Sequence, residues 1–198
     1  MKIIYLDTET TGLNPEMHDV IQVAGIIEID GIVKAEFDFK CQPHSFNNCE
    51  PSALKIHGFN LEQLRSFPLP RKSLKDLKAV WKKYVDPFDR KDKFMACGQN
   101  IDFDIRFLDS WFKKCGDTYF WAWIHYQKLD LLSASFLLQQ AGIVAKTENF
   151  KLGTVCEAMD VPLNDAHNAL ADVRATRVCM HKYLEALRDL KAGIINLE

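Results

Sequence analysis

Residues 20–40 read VIQVAGIIEIDGIVKAEFDFK. The first part, 20–29, is an apolar run that reads as a strand. Asp30-Gly31 is a tight-turn signal between two β-rich segments. After it Val33, Ala35, Phe37 and Phe39 alternate strictly with Lys34, Glu36, Asp38 and Lys40, the period of a strand with one covered face. Upstream, residues 2–7 (KIIYLD) read as a buried strand, so three strands follow one another in hairpin order.

Outward from this unit the pattern turns to mixed α/β. Residues 41–60, with Pro43, Pro51 and several Asn, read as loop. A helix is expected over 71–85 and a short buried strand at 94–98 (FMACG). Helical spacing resumes at Phe103, Phe107 and Trp111, and again from Leu129 to about Gln140. The longest helix is expected from Asn168 to Leu190, with Ala169, Val173, Thr176, Met180, Tyr183 and Leu187 on its apolar side. No repeat or linker divides the sequence, so residues 1–198 are read as one domain.

The composition, 47% hydrophobic and 26% charged, excludes disordered and collagen-like classes. Six cysteines never form a CxxC pair and read as reduced thiols, which favours a cytoplasmic protein. The apolar stretch at the start is too short for a signal peptide, and no segment approaches the roughly 20 apolar residues of a membrane span. The net charge of -2 is unevenly spread. Residues 1–40 hold three bases against eight acids, whereas residues 71–93 hold nine bases against four acids. An acidic centre with a basic flank suits a polyanion held over bound cations, although the basic run also fits a solvated helix face.

The acids converge. Asp7 and Glu9 stand at i and i+2 of the first strand and project from the same face, with side chains about 5 to 7 Å apart. Two charges at that distance repel by roughly 3 kcal/mol at an effective dielectric near 20, so something positive is expected between them. Asp104 follows the strand at 94–98, and strand ends at one sheet edge share a crevice. In NDAHNALADVRAT (164–176), His167 precedes Asp172 by five residues, about 140° apart on one continuous helix. His167 is therefore placed at or before the helix start and Asp172 one turn inside, with Asn164-Asp165 favouring a cap. Four acids and one His describe a hard-cation site for Mg²⁺ or Mn²⁺ rather than zinc.

DTETTGL (7–13), NIDFDIRFL (100–108) and HNALAD (167–172) together resemble, in order, the three motifs of the DEDDh, or DnaQ-like, 3'→5' exonucleases, a family that includes proofreading subunits of bacterial DNA polymerases. KIHGF (55–59) is similar to the family's HG element. Gln99 departs from the pattern, standing where many relatives carry His. The resemblance implies a ribonuclease H-like mixed sheet, three antiparallel strands plus parallel ones, flanked by helices. It further implies two cations clamping the scissile phosphate: Asp7 bridges both, Glu9 and Asp172 hold the first, and Asp104 holds the second. His167 is the implied general base. Thr8, Thr11, Gly12, Leu13, His57, Asn100 and Phe103 are the implied substrate contacts, with Leu13 and Phe103 packing an unpaired terminal base.

Other readings are weaker. NIDFD lacks the Gly and Glu that complete a calcium loop, having Ile105 and Trp111 there. FDFK (37–40) is explained by strand alternation, and Glu9 argues against an aspartyl phosphatase. A non-catalytic nucleic-acid-binding module would be expected to have lost one of the five site residues, and none is lost. Thr10 and Thr11 after Glu9 tilt the substrate toward DNA, because RNA-trimming relatives typically carry Met there. RNA, and action with a DNA polymerase subunit, stay open. The aromatic stretch TYFWAWIHY (118–126) is expected to be core or contact surface.

Overall fold

The computed structural model of the protein describes residues 1–163 and 168–193. One five-stranded sheet has the order β3-β2-β1-β4-β5. Its strands are β1 (Lys2–Thr10), β2 (Val20–Ile29), β3 (Ile32–Lys40), β4 (Phe94–Gly98) and β5 (Ile124–Asp130). The first three are antiparallel, whereas β4 runs parallel to β1 and β5 parallel to β4. Helices are α1 (Pro51–His57), α2 (Leu61–Ser66), α3 (Pro70–Trp81), α4 (Ile101–Lys114), α5 (Leu131–Gln140), α6 (Leu152–Ala158) and α7 (Ala169–Lys191). This is the ribonuclease H-like mixed sheet that the motifs implied.

Each face of the sheet has its own core, and the alternation along β1 decides which residue serves which. Ile4 and Leu6 pack with Leu77 and Trp81 of α3 and with Trp111 and Phe112 of α4. Ile3 and Tyr5 point the other way, toward Val173, Cys179 and Tyr183 of α7. By the same period of two, Asp7 and Glu9 fall on the α7 side and Thr8 on the α4 side. The strand thus delivers carboxylates to one helix and a hydroxyl to the other.

The register of α7 is fixed by charge as well as packing. Glu28 of β2 is buried and accepts from Arg177 Nε (2.7 Å) and pairs with His181 Nε2 (2.8 Å). Arg174 reaches Glu36 of β3 from the same helix. A buried carboxylate is stable only when so paired, and these bonds hold Asp172 one turn nearer the helix start. At the end of β4, a Cβ on Gly98 would lie 2.9 Å from the Leu6 carbonyl oxygen, so glycine permits the close approach of the two strands. Asn100 then turns the chain with φ 58°, a left-handed conformation that Asn tolerates.

Several expectations need correction. The first strand does not stop at Asp7 but continues to Thr10, with a bulge after Glu9. Residues 41–60 are not all loop, since α1 starts at Pro51, which suits a first helical position. The helix expected over 71–85 is α3, ending at Trp81 in a turn where Val85 N–H bonds the Trp81 carbonyl at 3.0 Å. The helix expected from Leu129 starts at Leu131, because 124–130 form the edge strand β5 and Asp130 caps α5. Helix α6 was missed. Leu187 lies on the expected apolar side of α7 yet is exposed, being beyond the reach of the sheet. The aromatic stretch divides: Phe120 and Trp123 are buried, whereas Tyr119, Trp121 and Tyr126 are exposed. Among the described residues no helix is long and apolar enough to cross a membrane.

Candidate active site

Asp7, Glu9 and Asp172 each place one carboxylate oxygen within 4.8 Å of the others, so strand β1 and the first turn of α7 meet at one point. Asp104, on the first turn of α4, lies outside that cluster but beside it. It is 2% exposed and accepts a hydrogen bond from Thr8 Oγ1 at 2.7 Å. The strand alternation explains this division of labour.

The electrostatics of the group are strained. Burial, then the neighbouring charges of Asp104, Glu9 and Asp172, hold the Asp7 carboxyl well above the usual carboxylate range. Glu9 is pushed up to about 8 by burial and by Asp172 and Asp104. Burial also raises Asp104 to about 7, against the hydrogen bonds from Thr8 that lower it. Four hard oxygen donors that resist ionising together form a site suited to a divalent cation, which would remove the repulsion. The residues present therefore fit the metal ions that the motifs implied.

Beside the carboxylates lies a hollow of about 330 Å³ lined in part by Thr8, Glu9, Gly12, Leu13, His57 and Phe103. Its rim is the segment 11–19, closed on itself. Thr11 N–H donates to the Asp19 carbonyl (2.9 Å), Asp19 N–H to Thr11 Oγ1 (2.9 Å), and Thr10 Oγ1 to the Gly12 carbonyl (2.8 Å). His18 braces it from beneath: Nδ1 accepts from Asn14 N–H (2.9 Å) and Nε2 meets Glu50 at 3.1 Å. A Cβ on Gly12 would lie 2.6 Å from that imidazole, so only glycine lets the loop sit on the ring. Leu13 is left exposed at the mouth and Phe103 packs on Phe107 with centroids 4.7 Å apart, so both present apolar surface to the hollow.

The expected substrate residues do not all reach this hollow. Thr8, Gly12, Leu13, His57 and Phe103 line it, whereas Thr11 is fully buried and holds the loop. Asn100 is exposed at the turn before α4, its N–H donating to Asp130 Oδ1 at 2.8 Å. His57 Nδ1 accepts from Phe59 N–H, which leaves Nε2 to carry the proton in the neutral ring, and burial pushes its pKa down to about 4. His167 lies outside the described residues. Sequence reasoning missed His18, Asp19, Glu50 and Asp130. The first three act through partners distant in sequence, and Asp130 was hidden inside a strand read as helix.

Comparison with known proteins identifies the family and the fold. The sequence model of the RNase_T exonuclease family matches residues 4–177. The PolC-type DNA polymerase III of Oceanobacillus iheyensis is 23% identical over 184 residues, covering 93% of this chain but 11% of that protein. Its counterpart from Lacticaseibacillus paracasei is 29% identical over 177 residues, 87% of this chain and 10% of that one. Among solved structures, E. coli exonuclease I in complex with a dT13 oligonucleotide superposes with a TM-score of 0.73 at 23% identity, over 97% of this chain and 42% of that one. A zinc-bound form of the same enzyme with single-stranded DNA gives 0.73 at 21% identity, over 93% and 40%. The chain thus spans about a tenth of the PolC-type polymerases and about two-fifths of exonuclease I. With a family model running through most of its length, the chain belongs to the exonuclease family.

Proposed function

We propose that residues 1–198 act as one exonuclease domain that removes nucleoside 5'-monophosphates from the 3' end of DNA, at single-stranded or unpaired termini. The observation that carries this reading is the cluster of Asp7, Glu9 and Asp172 within 4.8 Å, with Asp104 beside it and a nucleotide-sized hollow opening next to it. Two divalent cations, Mg²⁺ or Mn²⁺, would when bound stabilise charge on the scissile phosphate and activate a water. Asp7, Glu9 and Asp172 are the residues to hold one, and Asp7 with Asp104 the other. Thr8 fixes the Asp104 carboxylate through the 2.7 Å bond. His167, five residues before Asp172, is the group to accept the proton of the attacking water. Leu13 and Phe103 receive the terminal base by packing, which needs no sequence code. His57 offers a neutral ring N–H to the same nucleotide.

DNA is favoured over RNA by Thr10 and Thr11 after Glu9 and by the relatives, which include PolC-type DNA polymerases and an exonuclease seen with DNA oligonucleotides. The PolC relatives also make a DNA polymerase a reasonable partner. The test is product analysis. Single-stranded DNA and the matched RNA, incubated with Mg²⁺, Mn²⁺ or EDTA, should yield 5'-mononucleotides from the 3' end in the metal arms, faster from DNA. Faster release from RNA would make this an RNA-trimming enzyme. Binding without release in either metal would make it a non-catalytic module.

A further inference from the structure

A second hollow, of about 690 Å³, lies away from the carboxylates and is lined in part by Lys78, Phe88, Arg90, Lys93, Tyr119 and Trp123. Phe88 is 89% exposed and Tyr119 73% exposed. Burying a phenylalanine side chain is ordinarily worth about 1.5 to 3 kcal/mol, and two exposed rings lining one hollow form the kind of apolar patch that marks a binding surface. Loose structure does not account for the exposure, because the segment carrying Phe88 is tied at each turn. Phe88 N–H donates to Asp86 Oδ1 (3.0 Å), Lys91 N–H to Asp89 Oδ1 (2.9 Å) and Asp86 N–H to Asp92 Oδ2 (3.0 Å). Asp92 is itself anchored by Lys2 Nζ at 2.5 Å.

Of the four acids of the basic run, Asp92 is paired with Lys2 and Asp76 with Lys72, while Asp86 and Asp89 accept backbone N–H groups. Arg90 has no ion pair or hydrogen bond among the described residues, and Lys93 bonds only the Trp121 carbonyl. Lys78, at the border of the hollow, is ion-paired with Asp117, and both also line a smaller cleft with Arg71 and Lys75, which lie along one face of α3. Cys115 lines that cleft too. Its neighbour Lys114 bonds Asp19 at 2.8 Å, at the base of the segment that carries Gly12 and Leu13 to the first hollow. Between the two hollows, Arg71 and Lys75 are the cations without an ion pair among the described residues, whereas Lys78 and Lys114 are paired with Asp117 and Asp19.

We infer that this hollow is a second binding site for single-stranded nucleic acid, holding the strand upstream of the 3' end, with bases stacked on Phe88 and Tyr119 and phosphates on Arg90 and Lys93. Free cations beside exposed rings are the combination that holds a single strand without reading its sequence. The site sits beyond the start of β1, where Lys2 meets Asp92, and the run of β1 from Lys2 to Asp7 alone covers about 17 Å at 3.3 Å per residue, a lower bound on the path a strand must take. At a stacked rise of about 3.4 Å per nucleotide a strand needs at least about five nucleotides to span that distance. Only longer substrates reach the site. The inference rests on the exonuclease reading above for the placing of the 3' end.

The experiment compares Phe88→Ala, Arg90→Ala and the double variant with the wild type. kcat/KM is measured on a trinucleotide and on a 20-nucleotide DNA of the same 3' sequence, and anisotropy gives binding of both in EDTA. The expected result is about a tenfold loss per stacked base on the 20-mer, no change on the trinucleotide, and a shallower salt dependence of binding for Arg90→Ala. Unchanged trinucleotide turnover also shows that the variants fold. Equal kcat/KM and equal 20-mer binding in wild type and variants would overturn the inference and leave the hollow to an acidic protein partner. If the wild type cleaved neither DNA, the exonuclease reading would fail. The EDTA arm would still decide, since 20-mer binding lost in the variants supports the site and binding retained in them overturns it.

Discussion

Replacing Asp7 with Asn should make the metal-free protein more stable and at the same time deaf to divalent cations. With both partners ionised, two carboxylates 4.8 Å apart repel by about 3.5 kcal/mol at an effective dielectric of 20, and Asp7 belongs to two such pairs, with Glu9 and Asp172. Part of that cost is already relieved at pH 7, because Glu9, held at about 8, keeps its proton for most of the time. A net gain of about 1 to 3 kcal/mol for Asp7→Asn follows from this partial relief. For a chain of this size each kcal/mol moves Tm by about 2 to 4 °C, so the variant should melt about 2 to 12 °C higher in EDTA. A cation present at about 100 times its Kd should add about 2.7 kcal/mol to the wild type and little to the variant. Thermal denaturation in EDTA and in Mg²⁺ at matched ionic strength measures both effects. A lower melting temperature for Asp7→Asn in EDTA, or a wild type unmoved by Mg²⁺ and Mn²⁺ alike, would show that the carboxylates neither repel one another nor bind a cation.

Three further outcomes are expected. Gly12→Ala places a Cβ 2.6 Å from a His18 ring that Asn14 and Glu50 hold in place, so the loop must shift; kcat/KM on DNA should fall at least tenfold with a stability loss of about 1 to 3 kcal/mol by denaturant unfolding. Phe103→Ala should raise KM for DNA by about tenfold with little change in kcat, since it removes a packing surface for the base and no reacting group, and steady-state kinetics would show a kcat loss instead if that role is wrong. His57 titrates near 4 in the folded protein and near 6.5 unfolded, so below pH 6.5 the unfolded chain binds a proton that the folded one refuses. Stability should fall between pH 6.5 and 4 by up to about 3 kcal/mol from this group and level off below 4, a slope that His57→Gln flattens in urea titrations; parallel curves for the two proteins would contradict it.

The acids of the site were legible because each sits in a short local pattern: two on one strand face, one after a strand, one in the first turn of a long amphipathic helix. The hairpin at 20–40 was legible for the same reason, its alternation and Asp30-Gly31 turn being complete within the segment. Strand β5 was not. IHYQKLD runs along a sheet edge and is half exposed, so it lacks both the alternation of a one-sided strand and the apolar run of a buried one. Helix α2 carried a readable signal, the reciprocal capping of Asn60 and Gln63, that the Pro and Asn of the preceding residues obscured. The bracing of the 11–19 loop by His18 and Glu50 joins residues 32 apart and has no local pattern to betray it.

If Asp7, Glu9, Asp104 and Asp172 form one metal-dependent phosphodiesterase centre, cleavage depends on both the cation and each carboxylate. Single-turnover cleavage of a 5'-labelled single-stranded DNA by the wild type and by Asp172→Asn, in Mg²⁺ and in EDTA, tests it most directly. The expected result is a ladder shortening from the 3' end for the wild type in Mg²⁺ alone, and a loss of at least a thousandfold in rate for Asp172→Asn while DNA binding persists. Equal cleavage in EDTA, or an Asp172→Asn variant as fast as the wild type, would contradict it.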